Sequence, residues 1–214
     1  MTPALQSHAT LALCRLAPVI PVLVIDDPGD APELAKALVA GGLPVLEVTL
    51  RTPRALDAIA AMAAVPGARV GAGTVLSAHD AARARSAGAE FAVSPGATPA
   101  LVSACVAQAL PLLPGAATAS EVMALMETGY RTLKFFPAQA AGGVAMLQAL
   151  RGPLPQASFC PTGGISEENA AEYLNLQNVA CVGGSWVAPA SLVKARDWEA
   201  ITRLARKAAA LPRD

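Results

Sequence analysis

The stretch "PVLEVTL" (residues 44–50) decides how the chain is read. It is short and apolar enough for one buried strand, yet Glu47 stands in its middle, and strand side chains alternate between faces. Glu47, Thr49 and the following Arg51 therefore share one face, while Val48 and Leu50 take the other. In a parallel barrel the outer face packs on helices, so the polar face points inward.

Working outward, short apolar runs alternate with Ala-rich segments of helical period, and the pairs recur about every 20 to 25 residues. The other runs are "VIPVLVI" (19–25), "RVGAGTV" (69–75), "FAVSPG" (91–96), "PLLPGA" (111–116), "TLKFFPA" (132–138), "SFCPTGG" (158–164) and "VACVGGSW" (179–186). Helix candidates such as "APELAKALVAGG" and "AHDAARARSAGAE" carry their charges on one face and meet Gly before the next strand. Eight such units predict an α/β fold, a single-domain (β/α)8 TIM barrel over residues 1–214, with "MTPALQSHATLALCRLAPVI" as an N-terminal leading helix. No Pro-rich or polar linker divides the chain. An open doubly wound sheet would call for a G-x-G-x-x-G turn after the first strand, where "VIDDPGD" stands instead.

Composition narrows the function. The 214 residues are 54% hydrophobic and 15% charged, and sixteen basic side chains cancel sixteen acidic ones. No Lys/Arg stripe interleaved with aromatics tracks a phosphate backbone, which argues against nucleic acid as a partner. No apolar run reaches the roughly 18 to 20 residues of a membrane helix. The leading segment lacks a basic start and Arg15 interrupts it, so a cytoplasmic protein is expected. Cys14, Cys105, Cys160 and Cys181 lie far apart along the chain and read as reduced core residues. His8 and His79 fall in the leader and at a helix start, without zinc-ligand spacing, so no metal and no cofactor is expected.

Lys134, in "TLKFFPA", is one of only four lysines and shares a strand face with Phe136. A buried ammonium is costly unless it pairs or becomes neutral. Either Lys134 pairs structurally with Glu47, or it serves as a nucleophile. An amine attacks a carbonyl only as the free base; an apolar cavity and a neighbouring cation such as Arg51 favour that form, and a neighbouring carboxylate opposes it. Glu47 is the only carboxylate in the middle of an expected strand, while Glu90 stands just before one and reads as solvated. Arg51 ends its strand with a planar fork suited to carboxylate or phosphate. "PTGG" (161–164) and "GGSW" (183–186) close the seventh and eighth runs, where barrels often bind phosphate through backbone N–H groups. Thr74, in "GAGTV", could donate to an anion.

Taken in order, "EVTLRT", "GAGTV", "SPG", "LKFFPA", "CPTGG" and "GGSW" resemble the class I 2-keto-3-deoxy-6-phosphogluconate (KDPG) and 4-hydroxy-2-oxoglutarate aldolases, over about residues 15 to 207. The resemblance implies Lys134 as the Schiff-base lysine and Glu47 as the general acid/base. It implies that Arg51, Thr74 and Thr162 hold the substrate carboxylate, that Gly163, Gly164, Gly184 and Ser185 hold its phosphate, and that Pro95 and Phe136 line the pocket. The expected reaction is cleavage of KDPG to pyruvate and D-glyceraldehyde 3-phosphate, a step of the Entner–Doudoroff pathway, by a homotrimer. The residues leave open an aldolase for the galactonate epimer, a sugar-phosphate isomerase or epimerase, or a non-catalytic phospho-sugar binding protein. Gln139 departs from the carboxylate common in relatives after "KFFPA", which bears on substrate preference.

Overall fold

The computed structural model describes residues 1–212. Its strand segments, in chain order, are β1 (Val19–Leu23), β2 (Val45–Thr49), β3 (Arg69–Gly73), β4 (Phe91–Val93), β5 (Leu112–Leu113), β6 (Gly115–Ala116), β7 (Thr132–Phe135), β8 (Ser158–Pro161) and β9 (Val182–Gly184). Helix α1 (Pro3–Cys14) precedes them. Between them run α2 (Ala31–Ala40), α3 (Ala55–Ala63), α4 (Ala78–Ser86), α5 (Pro99–Ala107), α6 (Ala119–Thr128), α7 (Gly143–Arg151) and α8 (Ala170–Leu174), and α9 (Ala190–Ala195) and α10 (Trp198–Ala209) follow. The leading helix and each expected strand–helix pair are therefore present.

All ladders are parallel. A six-stranded sheet has the order β5-β4-β3-β2-β1-β9, and a three-stranded sheet has the order β6-β7-β8. The fifth run, expected as one strand, is divided at Pro114. Proline has no N–H for a ladder, so pairing changes sides there: β5 bonds to β4, and β6 bonds to β7. The carbonyl of Pro114 still accepts from the Lys134 N–H at 2.8 Å. β8 meets the β9 region through the bridges Phe159 to Val179 and Thr162 to Gly183.

Several strands stop earlier than their apolar runs. β3 ends at Gly73 because Thr74 turns into the left-handed region, at φ 58°. β4 ends at Val93, just before the "SPG" turn. Helix starts follow their capping residues: the side chains of Ser77, Thr98 and Thr118 accept the N–H groups of Asp80, Leu101 and Glu121. Glu121 reciprocates onto the Thr118 N–H, completing a capping box.

Alternation divides the apolar side chains into two cores. Val48, Val70, Ala92, Leu112 and Leu133 lie in the layer between strands and helices. Val45, Phe91, Val93, Leu113 and Cys160 lie on the opposite strand face, together with Ile20 and Cys181. Leu13 and Cys14 of α1 join this inner cluster, so α1 lies across the end where the strands begin. Its polar residues complete that seal. Gln6 Oε1 accepts from the Leu112 N–H at 3.3 Å and from the Tyr130 hydroxyl, and Ser7 Oγ accepts the N–H groups of Arg131 and Thr132 at 2.8 Å. No helix among the described residues is long and apolar enough to cross a membrane.

Candidate active site

Strand register brings the two buried charges together. Lys134, on β7, and Glu47, on β2, lie on inward positions of their strands, and Lys134 Nζ donates to Glu47 Oε1 at 3.2 Å. Their side chains are only 6% and 3% exposed. The Glu47 carboxylate reaches this position because Gly73, on the adjacent β3, has no side chain; a Cβ there would run into it. The Phe136 ring covers the lysine, its centroid 5.3 Å from Nζ. A buried ion pair of this kind adds little net stability, because the desolvation of both charges offsets their attraction. Its retention on an inner strand face therefore points to chemistry, and 3.2 Å is within reach for proton transfer.

The turn after β8 lies against the Phe136 ring that covers the lysine, where a Cβ on Gly163 would stand 3.3 Å from it. Gly163 and Gly164 have φ of 101° and 76°, a backbone that side-chain-bearing residues rarely adopt. Two main-chain bonds tie the turn to the loop after β7, from Ala138 N to Thr162 O at 2.8 Å and from Gln139 N to Gly163 O at 3.0 Å. Thr162, buried at the end of β8, bridges to Gly183 and packs its side chain over it. Gly184 is required for a different reason than a tight turn: the Trp186 ring occupies the space of a Cβ. Ser185 follows, exposed.

A family profile described as KDPG and KHG aldolase matches residues 11–204. The chain belongs to this family. It is 54% identical to the KHG/KDPG aldolase of Escherichia coli strain K12 over 198 residues, covering 92% of this chain and 93% of that one. Among solved structures, the Zymomonas mobilis ZM4 2-keto-3-deoxy-6-phosphogluconate aldolase with 3-phosphoglycerate is 52% identical, with a TM-score of 0.91 over 94% of this chain and 95% of that one. The Legionella pneumophila KDPG aldolase, with pyruvate captured as a covalent carbinolamine, is 48% identical, with a TM-score of 0.91 over 94% and 98% of the two chains.

In this member of the aldolase family, the remaining candidate residues ring the same strand ends. Arg51, one turn beyond β2, is exposed and makes no ion pair with any described residue. Thr49, expected to share its inward face, is buried, and its hydroxyl is committed to the Leu23 carbonyl at 2.9 Å. Thr74 is half-buried, and its left-handed backbone is strained for a β-branched residue. Pro95 is half-buried after β4, its carbonyl close against Gly115. Glu90, as expected, is at the surface, where it pairs with Arg69.

Two arrangements escaped the sequence reading. Cys14, Cys160 and Cys181, distant in sequence, converge as buried free thiols in the inner core. Hydrogen bonding from Cys14, then from Cys181, holds the Cys160 thiol well below the usual range, aided by the charge of its register partner Lys134. The same bonding to Cys160 pushes Cys14 well up, and bonding to Cys14 does so for Cys181. The second arrangement is the Tyr173 hydroxyl donating to Gln139 Oε1 at 2.7 Å. A separate groove of about 270 Å³ lies between α5 and α6, lined by Pro99, Val102, Leu125 and neighbours. Its ionisable residue, Glu121, is engaged in capping, so the groove offers no comparable chemistry.

Proposed function

We propose that the chain is a Schiff-base-forming aldolase that cleaves 2-keto-3-deoxy-6-phosphogluconate to pyruvate and D-glyceraldehyde 3-phosphate, and also accepts 4-hydroxy-2-oxoglutarate. The observation that carries this reading is the enclosed Lys134–Glu47 pair at 3.2 Å. The covalent carbinolamine of pyruvate in the Legionella relative supports the same chemistry.

On this reading Lys134 passes a proton to Glu47, and its free amine attacks carbon 2 of the keto acid. Glu47 carries protons as the carbinolamine loses water. The protonated imine then draws electrons from the bond between carbons 3 and 4 as Glu47 takes the proton from the carbon 4 hydroxyl. Glyceraldehyde 3-phosphate departs, leaving a lysine-bound enamine. Protonation of its carbon and hydrolysis of the imine release pyruvate and return Lys134. Arg51, Thr74 and Thr162 hold the substrate carboxylate, a planar acceptor matched by the Arg51 guanidinium, which has no ion-pair partner among the described residues. Gly163, Gly164, Gly184 and Ser185 receive the phosphate through backbone N–H groups, and Pro95 and Phe136 wall the pocket.

The two sheets are read as one closed (β/α)8 barrel forming a single domain. The divided fifth run supports one seam and the β8–β9 bridges the other. A cytoplasmic homotrimer follows from the family resemblance, and native mass spectrometry tests the trimer.

Reduction with borohydride in the presence of pyruvate, followed by peptide mass spectrometry, should place the adduct on Lys134. A folded protein that binds pyruvate yet traps nothing there would remove the Schiff-base assignment. Pyruvate release measured side by side on the gluconate-derived substrate, its galactonate epimer and 4-hydroxy-2-oxoglutarate sets the preference among them.

A further inference from the structure

Glycine pairs are mobile by nature, so a turn such as Gly163–Gly164 presents its N–H groups in fixed directions only if its surroundings hold it. Three contacts do so. The main chain of the loop after β7 bonds to Thr162 and Gly163. Asn169 Nδ2 donates to the Gly164 carbonyl at 2.9 Å, while Asn169 Oδ1 accepts from the Ser166 N–H at 2.9 Å. Finally, the stem of Gln139 lies where a side chain on Gly164 would stand.

In the third contact the Gln139 backbone places Cβ, while Cγ, 3.2 Å from where a Gly164 Cβ would stand, is placed by the rotamer, which a hydrogen bond outside the pocket fixes. Gln139 is exposed on a loop, and an unanchored glutamine there would sample several rotamers. Its amide tip is instead fixed by the Tyr173 hydroxyl at 2.7 Å. Tyr173 belongs to α8 and is 1% exposed, its ring packed in the outer core, so it is a rigid post. Gly143, at the start of α7, leaves room for the bond: a Cβ there would lie 3.1 Å from the Tyr173 hydroxyl oxygen and 3.6 Å from Gln139 Oε1. This bond thus joins the Asn169 contact, made from the N-cap of α8, in tying the loop after β7 and the turn after β8 to that helix.

We infer that Gln139 and Tyr173 form a positioning pair that fixes the Gly163–Gly164 turn for phosphate, and so sets the preference for phosphorylated over unphosphorylated 2-keto acids. This rests on the assignment of that turn to phosphate under the proposed function. The pair touches no reacting atom. It acts on the affinity for one end of the substrate and leaves the chemistry at Lys134 unchanged.

The test measures kcat and KM for 2-keto-3-deoxy-6-phosphogluconate and for 4-hydroxy-2-oxoglutarate, which carries no phosphate. The proteins are the parent, Tyr173→Phe, Gln139→Met and the double variant, each checked for an unchanged circular dichroism spectrum. Both substitutions keep the packing volume and remove the hydrogen bond. Each single variant should raise KM for the phosphorylated substrate about five- to tenfold, the loss of one well-placed hydrogen bond. KM for 4-hydroxy-2-oxoglutarate and both kcat values should stay at the parent's level, and the double variant should do no more than either single. An unchanged KM for the phosphorylated substrate, equal rises for both substrates, or additive effects in the double variant would overturn the pairing. Inorganic phosphate tested as a competitor separates the two levels. If it fails to compete in the parent and the parent shows no preference for the phosphorylated substrate, the phosphate assignment falls and takes the pair with it. If the parent prefers the phosphorylated substrate and the variants keep that preference, the pair alone falls.

Discussion

The two ends of the strands are both lined with polar groups, and they differ in what those groups are left free to do. Where the strands begin, the side chains of Gln6 and Ser7 of α1 accept four donors, one each from Leu112, Tyr130, Arg131 and Thr132, all of them protein groups. Where the strands end, Lys134 has Glu47 as its ion-pair partner, Arg51 has none among the described residues, and the Gly163–Gly164 turn shows unusual backbone. At the first end these acceptors are used within the fold, with Gln6 Nε2 left unpartnered, and at the second the groups are those assigned to substrate under the proposed function. Stability and activity should therefore respond separately to changes at the two ends.

The largest effect is expected at Lys134. Lys134→Met should lower turnover by about four or more orders of magnitude, since it removes the group on which the proposed reaction is built. It should also cost about 3 to 5 kcal/mol of stability, because Glu47 is left buried without its partner. Adding Glu47→Leu should return most of that stability in urea denaturation while activity stays absent. If the double variant is less stable than the single, the pair serves the fold as the opposite end does, and the contrast breaks. Glu47→Gln comes next: turnover should fall about 10²- to 10⁴-fold, the usual contribution of a positioned acid/base, while pyruvate binding followed calorimetrically changes far less.

At the opposite end the order of effects inverts. Gln6→Leu leaves the Leu112 N–H and Tyr130 hydroxyl buried without their acceptor, at about 1 to 3 kcal/mol each. Its Tm should fall, with kcat at the parent's value; a matching loss of kcat would join the two ends mechanically. The smallest effect lies outside both. Thr118→Ala should cost about 1 kcal/mol by removing the cap of α6. The carboxyl of Glu121 sits below its usual range, chiefly because the Ala117 N–H donates to it. Since its folded value is depressed, its contribution is complete above the ordinary carboxylate range and fades as pH falls through the depressed value. Thr118→Ala keeps both backbone donors and removes only the smaller contribution of the Thr118 hydroxyl, so the stability gap to the parent should narrow only slightly in acid.

Much of the second end was legible in the sequence, because strand parity is a local rule. Glu47 and Lys134 each occupy an inward position that can be counted within seven residues, and the glycines of "PTGG" announce a turn by themselves. The resemblance supplied their roles. The first end was far less legible. Nothing in the spacing of Cys14, Cys160 and Cys181 shows that they meet, since only the closing of the inner face brings residues 14 and 160 together. Gln6 and Ser7 looked like ordinary polar positions on a leading helix, and their burial depends on strand ends more than a hundred residues away. The Gln139–Tyr173 bond is hidden for the same reason: its partners lie 34 residues apart on different elements. The division of the fifth run was nearer the surface, because Pro114 stands in its middle.

The seating of α1 also bears on the order in which the molecule is assembled. The side-chain bonds of Gln6 and Ser7 to the rest of the chain reach residues 112 to 132. A ribosome therefore delivers this helix long before its docking place exists, and more than half the chain must emerge before the helix can settle. During that interval Gln6, Ser7 and Cys14 remain open to water. Helix α1, which precedes β1 in the chain, thus settles only after residues 112 to 132 are in place, and its arrival covers the inner strand face where the strands begin.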